Sequence, residues 1–134
     1  MTTTFSTDTD ITEADKLART ARDAVSSAEI EAGGSAVTDF DGFRVRAKRQ
    51  ILIDLGARDI TESQVTNTDA MITVEVECAL WLLFASVAQY TSAQQDIYAA
   101  RARDYEARYL RNVAKVNPIA RVRGVGMSFE WGRG

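Results

Sequence analysis

Histidine is absent from all 134 residues. That removes the commonest general acid–base side chain and the commonest metal ligand together. There is a single cysteine, Cys78, so no disulfide can form within one chain. Because it falls in an apolar run, Cys78 is expected to behave as a small buried hydrophobe. The only proline is Pro118, and Asn117-Pro118 reads as a helix stop. Met1 to Asp10 is rich in Thr and Asp, with neither a basic n-region nor an apolar h-region, so it does not read as a secretory signal. The longest apolar stretch, Cys78 to Ala88, covers eleven positions and includes Ser86, short of a bilayer's thickness. A soluble chain made in a reducing cytoplasm is the expectation.

Catalytic patterns are also missing. Gly124-Val-Gly126 has no strand–loop–helix unit around it and is not a dinucleotide loop. The chain has no nucleophile elbow, P-loop or zinc-binding cysteine pair. Glu75 and Glu77 stand two apart, as do Glu13 and Asp15, so on a helix each pair points in different directions. The expectation is a protein that is not an enzyme and needs no cofactor or metal.

What is present is ordinary globular material: 46% hydrophobic and 26% charged residues, with a net charge of −3. The charge is unevenly spread. Residues 1–43 hold nine acids and three bases, whereas residues 94–134 hold eight bases and four acids. Such polarity suits head-to-tail contact between copies or a basic end facing an acidic partner, although any single charge is better explained as solvating a helix face.

The pattern predicts one mostly α domain, a bundle of about four helices, in three parts: a flexible polar leader over 1–10, the bundle over 11–116, and an extended arm over 117–134. Asp10 or Thr12 caps a first helix running to about Ala32, where Gly33-Gly34 ends it. Asp41 to Leu55 fits both a strand and a helical face. Asp41 as a cap, Gly56 beyond the end, and a fifteen-residue length favour a helix. Its basic cluster Arg44, Arg46, Lys48 and Arg49 is either a solvated face, the favoured reading, or a site for an acidic partner. Residues 57–68 form a connector with a short turn at Thr61–Val65. A helix then runs from Asn67–Asp69 to about Tyr90, with Ile72, Val76, Leu80, Leu83 and Val87 as its stripe. Trp81, Leu82 and Phe84 make it apolar on nearly every side, which marks it as the central element. The last helix, about Ala93 to Val116, carries the stripe Tyr98, Ala102, Tyr105, Tyr109, Val113 and Val116, and Asp104–Arg108 forms a favourable i,i+4 pair.

After Pro118 the period changes from helical to twofold. Val125, Met127, Phe129 and Trp131 alternate with Gly126, Ser128, Glu130 and Gly132, the pattern of a strand with one buried face. No partner strand is evident upstream, so the segment is read as pairing with another molecule by strand addition or in a groove; the alternative is a short strand packed on its own domain, or a frayed terminus. Arg121, Arg123 and Arg133 would add charge-assisted contacts, and Trp131 is the expected hot spot. A competing reading is a small helical nucleic-acid-binding or regulatory protein that uses the last helix, over 93–116, where Arg101, Arg108 and Lys115 recur every seven residues among Tyr105 and Tyr109. The overall acidity, with pI near 5.0, counts against it.

The helix "AKRQILIDLGA", the apolar helix "ECALWLLFASVAQY" and the final helix "DIYAARARDYEARYLRNV" with its tail give the chain a layout that resembles head–tail connector (adaptor) proteins of tailed bacteriophages and related gene-transfer particles. The likeness covers about residues 40–134 and is one of architecture and residue texture. It implies a virion protein of the neck between head and tail, present in the host cytoplasm during assembly. It further implies a homo-oligomeric ring, typically of twelve copies, beneath the portal protein, with the C-terminal arm embracing the portal and the next neck or tail protein on the opposite side. DNA would pass through the lumen without specific binding, and no membrane is involved.

Overall fold

A computed structural model describes residues 4–65, 68–90 and 94–116. Within them the chain is helical, with five α-helices, one 3₁₀ turn and no strand. The helices are α1 (Asp8–Ala14), α2 (Ala18–Glu31), α3 (Asp41–Gly56), α4 (Thr68–Tyr90) and α5 (Gln95–Val113), and the turn spans Glu62–Gln64. The bundle expected from the sequence is therefore present, with one more helix than anticipated.

The extra helix arises because the expected first helix is two. Thr7 caps α1: its hydroxyl accepts from the Asp10 amide at 3.3 Å, while the Asp10 carboxylate accepts from the Thr7 amide at 2.8 Å. This is a reciprocal capping box, in which Asp10 is the third helical residue rather than the cap. At Asp15 the backbone becomes extended, φ −151° and ψ 121°. Its carboxylate accepts from the Leu17 amide at 2.9 Å, which turns the chain into α2. The short polar side chain competes with the helix for backbone donors, the usual reason Asp breaks helices. At the far end of α2 the predicted stop holds. Gly33 takes φ +89°, and the Gly34 amide donates to the Glu29 carbonyl at 2.7 Å, so α2 closes as the left-handed glycine cap requires.

α4 is the axis of the molecule, and α1, α2, α3 and α5 all pack on it. Leu80, Leu83, Val87, Val74, Met71 and Cys78 are buried on it, as is Phe84. The Phe84 ring lies 5.9 Å from both Tyr98 and Tyr105, stacked on each, and Trp81 lies 5.9 Å from Tyr109. The tyrosine stripe of α5 thus closes on the aromatic side of α4, and every member of that stripe from Tyr98 to Val116 is buried. Offset aromatic pairs of this kind add about 0.5–1.5 kcal/mol each beyond the area they bury.

By length and composition Thr68–Gln89 would suffice to cross a membrane, which corrects the shorter stretch read from the sequence. Four helices cover it here, the arrangement of a core helix. The described part of the expected leader, residues 4–10, is bonded into the bundle: Ser6 is buried, and Phe5 packs against the core.

Candidate functional site

Arg121, Arg123, Val125, Met127, Phe129, Trp131 and Arg133, the residues assigned to partner binding, lie outside the described residues, as does the whole arm 117–134. The chemistry-bearing side chains that can be placed fall into an internal set and an external one.

Three carboxylates form the internal set. Glu75 sits in the N-terminal half of α4 with no exposed surface. Its Oε2 accepts from the Phe5 amide at 3.1 Å and its Oε1 from the Ser6 amide at 2.8 Å and from the Ser6 hydroxyl. Arg44 holds the same segment from the other side, donating to the Thr4 hydroxyl at 2.5 Å, the Ser6 carbonyl at 2.6 Å and Asp8 Oδ1 at 3.1 Å. Asp15, also buried, accepts from the Tyr105 hydroxyl at 2.7 Å and from Arg101 at 2.5 Å. Asp54 accepts from the Tyr109 hydroxyl and from Gln50 at 3.1 Å. Each carboxylate therefore ties together elements distant in sequence. Among the described residues, no group of three His, Cys, Asp or Glu could hold a metal ion.

The sequence pattern does not reveal the bonds of these three residues: Glu75 and Glu77 read only as a pair facing different ways, although a carboxylate on an apolar flank of a helix requires a buried partner.

Burial and neighbouring charge also set the titration of the core. Burial first, and then Asp54 and Glu75, push the Cys78 thiol from 9.0 up to about 12. The Tyr105 and Tyr109 hydroxyls are raised above their usual value by burial first and by their bonds to Asp15 and Asp54 next. Groups that keep their protons more tightly in the folded chain contribute stability that is complete below their unfolded pKa and is lost as pH rises through the folded one. Stability should therefore hold up to about pH 9, the unfolded thiol value, and then fall with further alkalinity. Cys78→Ala should move the onset towards the tyrosine value of about 10. Melts across the alkaline range, with thiol-reagent uptake followed in parallel, check this. Reaction of Cys78 in the folded protein at neutral pH would contradict it.

The external set is basic on α3 and α5. The cluster on α3 divides. Arg44 and Lys48 turn inward, Lys48 pairing with Glu62 at 2.9 Å and lying 4.8 Å from the Phe5 ring centre. Arg46 and Arg49 face solvent. On α5, Arg101 is held by Asp15, and Arg108 by Asp104 at 2.8 Å. The tyrosines between them are 6% exposed at Tyr105 and 0% at Tyr109, so their rings are not presented to stack on bases. A groove of about 360 Å³, lined by Asp10, Glu13, Ile72, Glu77, Tyr105 and Arg108, runs between α1 and α5. Its mouth is mostly acidic.

No family model, curated protein or solved structure matches this chain.

Proposed function

We propose that this chain is a structural assembly subunit that docks through its C-terminal arm, and that it serves as a head–tail connector forming a ring beneath a phage portal. The observation that carries the docking part is a mismatch of periods. The described helices close a core of their own, ending at the buried Val116. The chain beyond carries Val125, Met127, Phe129 and Trp131 at strand spacing, and the described residues contain no strand to receive them. A hydrophobic strand needs a partner for its backbone and a surface for its buried face. Eighteen residues at about 3.3 Å each reach roughly 60 Å when extended, enough to cross a neighbouring subunit. The connector role itself rests on the resemblance in layout.

Removing residues 119–134 should leave helicity and melting temperature nearly unchanged while abolishing attachment to the portal ring. Circular dichroism and co-sedimentation with assembled portal measure the two properties on the same samples. Unfolding of the truncated chain would assign the strand to its own core. Undiminished attachment would remove the arm from the mechanism.

A further inference from the structure

α3 turns towards solvent an arc made of Val45, Arg46, Arg49, Leu52 and Ile53. At 3.6 residues per turn these five positions fall within about a third of the helix circumference, and the arc contains no acid. Arg46 and Arg49 are exposed, and Ile53 is 60% exposed. Val45, Arg49 and Leu52, with Lys48 and Glu62, line a shallow groove of about 290 Å³. Glu62 at its edge is already paired with Lys48. An exposed isoleucine alone needs no explanation, but here it shares its arc with Val45, Leu52 and two arginines.

The outward arc of α2 has the opposite character. Asp23, Ser27, Ile30 and Glu31 share it, all exposed, with Ile30 at 55%. Asp23 pairs with the adjacent Arg22 at 3.5 Å while remaining exposed, and the outward base Arg19 stands a turn before it. Both helices pack chiefly on α4, and these arcs face away from it, so one copy cannot bring its own two arcs together.

We infer that the α2 arc of one copy docks on the α3 arc of the next, with Ile30 seated against Val45, Leu52 and Ile53, and with Asp23 and Glu31 opposite Arg46 and Arg49. The small Ser27 lets the two helix axes approach to the ordinary packing distance of about 8–10 Å. Two different faces meet, so the contact repeats from copy to copy and generates a ring or filament instead of stopping at a pair. The inference deepens the assembly reading and relies on it for the premise that copies meet. Exposed charge pairs are individually weak, so the association is concentration-dependent and weakens with salt.

The test mixes full-length Ile30→Cys and Ile53→Cys proteins under mild oxidation, with the native Cys78 buried. The expected product is the mixed 30–53 cross-linked dimer, which fades as salt is added. Reversing one arc, by D23R/E31R or by R46E/R49E, should weaken self-association in sedimentation by roughly tenfold or more, since like charges then face each other. Mixing the two reversed proteins should restore it, because each reversed arc meets its complement, and this recovery shows that neither variant merely failed to fold. Cross-links confined to 30–30 and 53–53 pairs would mean a dyad and overturn the inference. So would the absence of any cross-link, or reversals without effect. Trp131→Ala, which the arm reading needs and this contact does not, should leave the 30–53 cross-link intact. Failure of arm docking and failure of this contact are thereby read separately.

Discussion

Replacing Glu75 with alanine is expected to cost about 3–5 kcal/mol, because several buried donors are left unsatisfied at about 1–3 kcal/mol each. The carboxylate is fully buried on the apolar helix α4 and accepts three hydrogen bonds from Phe5 and Ser6. Without it, two backbone amides and a hydroxyl lose their acceptor in a place that water does not reach. Glu75→Gln keeps the volume but sets an NH₂ group against at least one of those donors, and should cost about 1.5–3 kcal/mol. Ser6→Ala should be milder than either, and its effect should be largely absorbed when combined with Glu75→Ala, because the two residues share one bond network. Denaturant melts give the magnitudes. Amide exchange locates the damage, since Phe5 and Ser6 should lose protection before the centre of α5 does. Near-wild-type stability of Glu75→Ala would show that residues 4–6 are not anchored by this carboxylate.

The second large effect is expected at the core positions Leu80 and Leu83. They are 0% and 1% exposed on the helix against which every other described helix packs. Truncation of either to alanine should cost about 2–5 kcal/mol, the transfer of the lost side chain plus the cavity it leaves. The upper part of that range is the more apt, because α4 is held on several sides and cannot shift to close a void without disturbing another contact. Near-zero destabilisation at both positions would remove α4 from the centre of the fold.

Much of this architecture is legible in the sequence because α4 and α5 obey one simple rule. A stripe at spacings of three and four must face a core, and the tyrosine stripe of α5 is buried along its whole length. The same rule resolves α3, where Phe43, Ala47, Ile51 and Leu55 are the buried residues and the alternative twofold alternation is accidental. What periodicity cannot show is where a polar side chain finds its partner. Asp15 divides the first helix because its carboxylate is drawn to Tyr105 and Arg101, some ninety positions away. Residues 4–6 look like a solvated leader until Glu75, seventy positions on, is seen to receive their amides. The basic cluster of α3 reads as one feature in the sequence, yet it serves two ends, because Arg44 and Lys48 fall on the arc that meets residues 4–8 while Arg46 and Arg49 do not. The proposed arm site was read wholly from residues after Pro118, where only the twofold alternation speaks.

The order in which the helices are made gives α4 a further consequence. A chain synthesised from its N-terminus completes α4 before α5 exists, so the side of α4 that Tyr98, Tyr105 and Tyr109 will cover has no cover at that moment. At about 5–20 residues per second, the segment up to Val113 takes on the order of a few seconds to follow. Once α4 has left the exit tunnel and before α5 has, the ribosome carries an apolar helix, Thr68–Gln89, of membrane-spanning length with one flank bare. The nascent chain is at its most adhesive there, and it is the stage at which a holding chaperone would do most for yield. Slow translation that stalls the chain at that point should lower recovery of folded protein, while a stall after α5 has emerged should not.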